Sequence, residues 1–273
     1  MNLCAITGAS GVLGRKIRKH LPFKFYSFNK NITNYKEVNK WVAAKNFDLI
    51  IHLAAIVPTR KVNKNYLKAK KVNVNGTENL INALLKKKKK PEWLFFASTS
   101  HVYGIGFKDK KLNEKTKINP NNKYGTSKKM AENVIQKKLK NSKIKFCIGR
   151  IFSVTDTTQR PPYLIPSLEK KIKQSNNKLI LKNLNHYRDF ITTKNICSAI
   201  KILFKNKHTG IFNIGSGKKF FLRDIAQLIA KKYNKNVKFK NNKKTTFLIA
   251  DNKKILKLGW KPKKFTNSLK YFY

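Results

Sequence analysis

The glycine-rich segment near the N-terminus constrains the fold more than any other stretch of the chain. A short apolar run at residues 3–6 leads into Thr7-Gly8-Ala9-Ser10-Gly11-Val12-Leu13-Gly14, and helical periodicity begins near Leu13. Glycines at three-residue intervals permit a tight turn and a close approach of the backbone to a ligand. The helix N-terminus that follows suits a pyrophosphate. Strand, turn and helix in this order predict the first unit of a dinucleotide-binding sheet.

Apolar runs and helical periods then alternate, which favours an α/β fold with a doubly wound parallel sheet (Rossmann) and a small C-terminal substrate-binding lobe. The predicted strands are residues 2–7, 23–28, 48–53, 93–97, 144–148 and 210–214. The predicted helices are the one from Leu13, 37–44, 73–85, the one from Tyr124, 167–174, 196–204, 222–232 and 251–258. We assign residues 1–152 to an NAD(P)-binding domain, to which residues 189–214 return, and residues 153–188 and 215–273 to the lobe.

A tyrosine and a lysine stand four residues apart in Tyr124-Gly125-Thr126-Ser127-Lys128, at the start of an amphipathic run. Positions i and i+4 of a helix share a face, so the phenol and the ammonium lie together. A nearby cation favours the phenolate, and we therefore expect Lys128 to lower the pKa of Tyr124. The tyrosine would then serve as a general acid or base near neutral pH. Taken alone, the pair could equally be a surface tyrosine beside a solvated lysine.

The formal net charge of +50 comes from 62 Lys and Arg residues against 12 Asp and Glu residues. Nucleic-acid binding is one explanation, because Lys and Arg neutralise phosphates. The lysines are nevertheless spread along the whole chain among asparagine and isoleucine, and all three are encoded by A/T-rich codons. The dense run at residues 86–90 follows a helical period, where cations suit the helix dipole. We favour base composition as the source of the charge.

The sequence gives no sign of a metal site or a membrane span. Cys4, Cys147 and Cys197 are far apart, as are the five histidines, and no pair has metal-ligand spacing. Isolated thiols are typical of a reducing compartment. No apolar run approaches the roughly 18 residues of a membrane span. The N-terminus also lacks the pattern of a signal peptide. We expect a cytoplasmic protein.

With these motifs in place, the chain resembles the extended short-chain dehydrogenase/reductases, the sugar-nucleotide epimerase/dehydratase group. The likeness runs along nearly the whole chain, and the order and intervals of its motifs make it specific. The motifs are Thr7 to Gly14, His52-Leu53-Ala54-Ala55, Asn73-Val74-Asn75-Gly76-Thr77, Ser98-Thr99-Ser100, Val102-Tyr103-Gly104, Tyr124 to Lys128, Arg188-Asp189-Phe190 and Phe212-Asn213-Ile214-Gly215-Ser216-Gly217.

The resemblance implies a role for each residue of the expected site. Tyr124 would be the catalytic acid/base, Lys128 would hold the nicotinamide ribose, and Thr99 would bond the reacting sugar oxygen. Arg188 would clamp the substrate diphosphate, and Ser153 stands where many relatives carry a substrate-contacting asparagine. The expected contacts to NAD or NADP are Gly8, Ser10, Gly11, Val12, Leu13, Gly14, Asn29, Lys30, Asn31, Ile32, Leu53, Ala54, Ala55, Tyr124, Lys128 and Ile151.

Two departures from the family pattern matter. The 4,6-dehydratases of this group carry Asp-Glu directly after the catalytic threonine, and this chain has Ser100-His101, which argues against dehydration. We interpret His101 as a loop residue rather than a base, because Tyr124 already fills that role. The second predicted strand ends at Asn29-Lys30 without the carboxylate that selects NAD, so NAD and NADP both stay open.

The sequence therefore predicts an enzyme that transfers hydride at a sugar carbon, expected to be C4, of a nucleotide-diphosphate sugar. It would be a 4-epimerase or a 4-keto-sugar reductase. The alternative is a non-catalytic NAD(P)- or nucleic-acid-binding protein on the same fold. Relatives commonly dimerise through a contact that includes the Tyr124 helix, so the resemblance also allows a homodimer. We expect Asn73 to brace the backbone of the site.

Overall fold

The computed structural model of the chain describes residues 1–57, 59–106, 108–176, 178–240 and 244–263. Its strands are β1 (Leu3–Thr7), β2 (Lys24–Phe28), β3 (Leu49–His52), β4 (Trp93–Thr99), β5 (Lys145–Ile151), β6 (Ser153–Thr155), β7 (Lys178–Lys182), β8 (His186–Arg188), β9 (Phe190–Thr192), β10 (Gly210–Ile214), β11 (Phe220–Phe221), β12 (Asn236–Lys240) and β13 (Thr246–Leu248). Its α-helices are α1 (Val12–His20), α2 (Tyr35–Ala43), α3 (Thr59–Lys64), α4 (Tyr66–Lys70), α5 (Gly76–Lys86), α6 (Lys123–Leu139), α7 (Leu164–Lys173), α8 (Thr193–Lys205), α9 (Leu222–Lys232) and α10 (Lys253–Leu256).

Six of these strands form one parallel sheet in the order β10-β5-β4-β3-β1-β2. The chain leaves β1 toward β2 on one side and returns to β3 on the other. The crevice between β1 and β3 is therefore the switch point at which doubly wound sheets bind ligands. This sheet confirms the predicted fold class.

The sheet is buried on both faces because successive side chains of a strand point to opposite sides. In β1, Cys4 and Ile6 belong to the core cluster shared with α1 and α8, whereas Ala5 belongs to the cluster shared with α2, α5 and α6. All three side chains are fully buried. The strand therefore reads as a continuous apolar run rather than as an alternating one, and helices cover both faces.

A third core cluster lies outside the large sheet. It joins α7 and α9 to Leu181 of β7 and to Phe190 and Phe220, with side chains of β12 packed against it. The strands around it are short and form small sheets, β11-β8-β13, β12-β7 and β6-β9. Apart from Phe190, which lies in the segment expected to return to the first domain, this cluster draws on the segments expected to form the substrate-binding lobe. The predicted boundaries of that lobe stay a prediction.

Several elements differ from the sequence prediction. The helix expected over residues 73–85 is the end of a longer helical stretch that starts at Tyr66 and passes through a π-helical turn at Lys71–Asn75. Its first turns are rich in lysine and lack apolar periodicity, which hid them. The helix expected over residues 251–258 is only Lys253–Leu256. Within the described ranges, no helix combines the length and apolarity needed to cross a bilayer.

Candidate active site

One cleft of about 940 Å³ opens at the carboxyl edge of the sheet. It is lined by residues at or just after the ends of five parallel strands, Gly8, Phe28, Leu53, Thr99 and Ile151. The predicted residues that line it are Gly8, Ser10, Gly11, Val12, Leu13, Gly14, Asn29, Lys30, Ile32, Leu53, Ala54, Ala55, Thr99, Tyr124, Lys128, Ile151, Ser153 and Arg188. The structure thus brings residues spread over 180 positions of sequence into one cavity.

Asn31 is the predicted residue that does not line the cleft. Its side-chain oxygen accepts hydrogen bonds from the backbone N–H and the hydroxyl of Thr33, at 3.0 and 2.9 Å. The asparagine closes its own turn in this way, as short polar side chains often do. The expected contact of Asn31 with the cofactor stays a prediction.

The glycine turn presents an open helix N-terminus to the cleft. Gly8 has φ +72°, and a Cβ there would lie 2.8 Å from the backbone nitrogen of Ala54, so the turn packs directly on the loop after β3. Gly11 begins α1 without a side-chain cap, and the first turn holds no acidic residue. A side chain at Gly11 would meet only the Gly8 oxygen, at 3.4 Å. Uncapped N–H groups and the helix dipole fit an anionic diphosphate here.

A buried hydrogen-bond chain supports this turn from below. The Thr7 hydroxyl accepts the Ala54 N–H at 3.2 Å and lies 2.6 Å from Nδ1 of His52. The Thr77 hydroxyl donates to the Asn73 carbonyl at 2.8 Å, so Nε2–H of His52 must donate to Thr77, at 2.9 Å. Burial lowers the pKa of His52 to about 3. His52 is therefore a neutral structural group.

Asn73 ties the loop after β3 to helix α6. Its side-chain oxygen accepts the Ile56 N–H at 2.7 Å, and its Nδ2 donates to the Ser127 hydroxyl at 3.0 Å. That hydroxyl donates in turn to the Tyr124 carbonyl at 2.8 Å. These contacts fit the bracing role expected of Asn73, which is fully buried.

Thr99 and Tyr124 meet inside the cleft, where a hydrogen bond joins their side chains. Thr99 begins a 3₁₀ turn, and its hydroxyl accepts the His101 N–H at 3.3 Å. Tyr124 lies in the first turn of α6, which Asn122 caps by accepting the Gly125 N–H at 2.9 Å. A Cβ at Gly125 would lie 2.9 Å from the carbonyl carbon of His101. Glycine therefore lets the helix approach closely enough for the two hydroxyls to bond.

The expectation that Lys128 lowers the pKa of Tyr124 is wrong, because that pKa is raised. Burial raises the pKa of Tyr124, opposed by the hydrogen bond from Thr99, and Lys128 makes no resolved contribution. Burial also lowers the pKa of Lys128 to about 7, opposed by the charge of Glu132. The Lys128 ammonium lies 3.9 Å from the ring centroid of Phe96. Desolvation is the largest cause of both shifts, and sequence spacing carries no information about it.

A buried ion pair lies beneath the cleft and was not predicted. Arg150 of β5 donates to Glu132 of α6 through Nε at 3.1 Å and through Nη2 at 2.7 Å. The Ser98 hydroxyl also donates to Glu132, and the guanidinium lies 4.8 Å from the ring centroid of Tyr103. The one available sequence signal was that Glu132 follows Lys128 by four residues, on the same helix face.

Arg188 and Ser153 belong to strands of the smaller sheets, and both line the cleft. Arg188 is half-buried, and its guanidinium donates to the Tyr187 carbonyl at 2.7 Å and to the Thr246 hydroxyl at 3.1 Å. Burial lowers the pKa of Arg188 to about 10, so it stays cationic at neutral pH. Ser153 donates its backbone N–H to the Asp189 carbonyl at 2.9 Å, which fixes β6 beside β9.

No metal centre is apparent in these described parts of the chain. The histidine, cysteine and carboxylate side chains within them form no group of three or more with the arrangement of a metal site. The thiols of Cys4, Cys147 and Cys197 are all buried and free.

Comparison with known proteins identifies the family. A family model described as GDP-mannose 4,6 dehydratase matches residues 7–270. The chain is 27% identical to a dTDP-D-glucose 4,6-dehydratase of Dictyostelium discoideum over 78% of this chain and 51% of that protein. It is 31% identical to a UDP-glucose 4-epimerase of Mycoplasma genitalium over 74% of this chain and 65% of that protein. The chain thus spans about half to two thirds of the length of these two relatives.

A solved structure supports the fold over the whole length. The structure of RMD from Pseudomonas aeruginosa, complexed with NADPH, matches with a TM-score of 0.88 and 20% identity, and the match covers 100% of this chain and 97% of that one. Together with the family match over nearly the whole chain, this confirms the resemblance that the motifs predicted. The chain belongs to the extended short-chain dehydrogenase/reductases, the family of NAD-dependent sugar-nucleotide epimerases and dehydratases.

Proposed function

We propose that the protein is an NAD(P)-dependent enzyme that acts at C4 of a nucleotide-diphosphate sugar, as a 4-epimerase or a 4-keto-sugar reductase. The observation that carries this proposal is the convergence of Thr99, Tyr124 and Lys128 in one cleft beside the glycine turn. A proton-transferring phenol, a hydroxyl that orients it and a cation then lie next to a site for an anionic cofactor.

The cleft residues fit a nicotinamide dinucleotide. The uncapped start of α1 would hold the pyrophosphate, and Lys128 would hold the nicotinamide ribose. Asn29 and Lys30 line the cleft where β2 ends and would face the adenosine ribose. Lys30 offers a charge that a 2′-phosphate could pair with, so the site is open to NADP as well as to NAD. Bound there, the cofactor would supply or accept the hydride at the sugar carbon.

Tyr124 would move the proton that accompanies hydride transfer. Its raised pKa keeps the phenol protonated at neutral pH, which is the form needed to donate to a sugar keto oxygen. Thr99 would hold the same oxygen, because its hydroxyl is already bonded to the phenol. Lys128 would stabilise the phenolate left after donation, in a buried site where charge interactions are strong.

Arg188 would bind the substrate diphosphate. Its guanidinium is fixed by two backbone or side-chain acceptors on β8 and β13, so little conformational entropy is lost when an anion binds. Ser153 would contact the sugar from β6. Dehydration is not part of the proposal, since Ser100 and His101 occupy the two cleft positions where the dehydratases carry an acidic pair.

The direct test replaces Tyr124 with phenylalanine. Loss of the phenolic proton should reduce turnover of sugar nucleotides about 10²- to 10⁴-fold, the range expected for a lost general acid or base. Binding of NADPH, followed by fluorescence titration, should be retained. Tyr66→Phe, outside the cleft lining, is the matched control. A fully active Tyr124→Phe protein would end the proposed mechanism.

Identifying the nicotinamide cofactor that co-purifies with the protein distinguishes a 4-epimerase from a 4-keto-sugar reductase. Release by denaturation of about one NAD per chain would indicate an epimerase, which retains its cofactor through the cycle. A protein that purifies without a nicotinamide and takes up NADPH in titration would indicate a reductase. A protein that binds neither, yet binds RNA with an affinity that falls steeply with salt, would instead support the non-catalytic alternative raised by the +50 charge.

A further inference from the structure

His101 lies in the cleft without a role in the chemistry described so far. Its imidazole meets the Tyr124 ring edge-on at a centroid distance of 5.9 Å, and it lines the same cavity as Thr99 and Arg188. Its backbone N–H is bonded to the Thr99 hydroxyl at 3.3 Å. The ring therefore sits beside the group proposed to protonate the sugar oxygen.

Asn122 determines which imidazole nitrogen carries the hydrogen. Its side-chain oxygen is committed as the cap of α6, because it accepts the Gly125 N–H at 2.9 Å. The remaining amide nitrogen, Nδ2, faces Nδ1 of His101 at 3.1 Å. An amide NH₂ only donates, so Nδ1 must accept, and the hydrogen of the neutral ring lies on Nε2. Flipping the amide would set Nδ2 against the Gly125 N–H, which excludes the opposite assignment.

The same contact opposes protonation of His101. A second proton would have to enter at Nδ1 and would point at the N–H of Asn122. Tyr124, which is neutral, meets the ring edge-on, and the cationic Arg188 acts on it as a like charge. Burial, with a smaller effect of the Arg188 charge, lowers the pKa of His101 to about 4. His101 is therefore uncharged throughout the physiological pH range.

We propose that His101 donates a hydrogen bond from Nε2 to an oxygen of the substrate sugar, and that Asn122 is the positioning residue that fixes this tautomer. This inference rests on the proposed function and adds a specificity contact to it. A fixed donor can stabilise negative charge on a sugar oxygen. It does not remove a proton from a sugar carbon, since its only basic nitrogen is occupied. His101 thus binds substrate at a position where a dehydratase needs a base.

The first test is the tautomer itself, which needs no turnover. Protein labelled with ¹⁵N-histidine, with the His101 signals assigned through His101→Gln, should show protonated Nε2 and unprotonated Nδ1 from pH 6 to pH 8. Asn122→Asp keeps the helix cap but places a second carboxylate oxygen against Nδ1. We expect the hydrogen of His101 to move to Nδ1, or the ring to become cationic, in this variant. A wild-type ring that is protonated at Nδ1 at pH 7 overturns the proposal.

The second test is substrate affinity. His101→Leu should raise KM for the sugar nucleotide about 10- to 100-fold, as expected when a buried partner loses its hydrogen bond, with an unchanged Kd for NADPH. His101→Gln, which keeps an N–H donor, should recover part of this loss. Asn122→Asp should change the pH dependence of KM between pH 5 and pH 8 relative to the wild type.

Asn65→Asp provides the control for a changed helix cap, since Asn65 caps α4 through the Lys68 N–H at 2.9 Å. It should leave KM and its pH dependence as in the wild type. An unchanged KM in His101→Leu overturns the sugar contact. Failure of the proposed function is distinguishable, because it would appear as absent turnover with every sugar nucleotide while the His101 tautomer is as expected.

Discussion

Lys128 and Arg150 are two buried cations in neighbouring layers of the molecule, and both side chains belong to residues only 1% exposed. Burial lowers the pKa of Lys128 to about 7. Burial acts on Arg150 in the same direction, yet the hydrogen bonds and charge of Glu132 raise the pKa of Arg150 overall. The carboxylate faces Arg150 at 2.7 Å, while Lys128 feels it only as a more distant charge. The Glu132 carboxylate therefore offsets the cost of burying Arg150, which holds α6 on β5. It does not offset the cost of burying Lys128, which faces the cleft.

The largest effect that would test this comparison is on catalysis. Lys128→Met should reduce turnover about 100-fold or more, because the phenolate of Tyr124 loses the cation that stabilises it. Lys137→Met, on an exposed part of the same helix, is the control and should keep full turnover. Steady-state kinetics with the substrate found for the wild type measures the difference. Equal rates for the two variants would place Lys128 among the structural cations.

For Arg150, the cation paired with Glu132, the expected effect is on stability rather than on turnover. Glu132→Gln removes the partner charge from buried Arg150 and should lower the free energy of unfolding by about 3–5 kcal/mol. The paired change Glu132→Leu with Arg150→Met should recover most of that loss, because it leaves neither charge of the pair buried without its partner. Urea unfolding of the three proteins measures the effect. If Glu132→Gln unfolds with the wild-type midpoint, the ion pair does not hold α6 in place.

A smaller effect is expected on the pH dependence of stability, to which the burial of Lys128 should contribute. The pKa of Lys128 is 10.5 when unfolded and about 7 when folded, so the unfolded chain binds more protons between these values. Stability therefore falls as the pH drops through this window, and the cost of burying Lys128 is complete below pH 7. Lys128→Met should raise the free energy of unfolding at pH 7 on the order of 1–3 kcal/mol.

That gain should shrink as the pH approaches 10, where the folded lysine is already neutral. Thermal melting of Lys128→Met against the wild type at pH 7, 8 and 9.5 measures the trend. Lys137→Met, on an exposed part of the same helix, should show no such pH trend, since it removes no buried ammonium. A gain for Lys128→Met that is constant with pH would mean that the ammonium is not the source of the cost.

The sequence was sufficient where the signal is local. The glycine turn, the parallel strands and the Tyr124–Lys128 pair are each encoded within eight residues or fewer, so spacing along the chain is enough to indicate the element that carries them. The Glu132–Arg150 pair joins residues 18 positions apart on different elements, and the Asn122–His101 contact joins residues 21 apart. Neither has a periodic signature, so neither could be predicted.

The electrostatic error has a related cause. Spacing placed the ammonium of Lys128 on the face of Tyr124, but the direction of a pKa shift depends on how much water both groups lose. That loss is set by packing of α6 against β4, where Phe96 covers Lys128. Strands β6, β8 and β9 were missed because segments of three residues carry too few side chains to show a period.

The hydrogen-bonded chain from Thr7 through His52, Thr77, Asn73 and Ser127 reaches the carbonyl of Tyr124. It runs wholly within residues 7–127 and uses no side chain of the smaller sheets. The substrate contacts made by the smaller sheets can therefore be exchanged by recombination or varied in directed evolution while the hydrogen bonds that position Tyr124 are inherited intact. A library confined to the loops around Ser153 and Arg188 would explore new sugars on an unaltered catalytic frame.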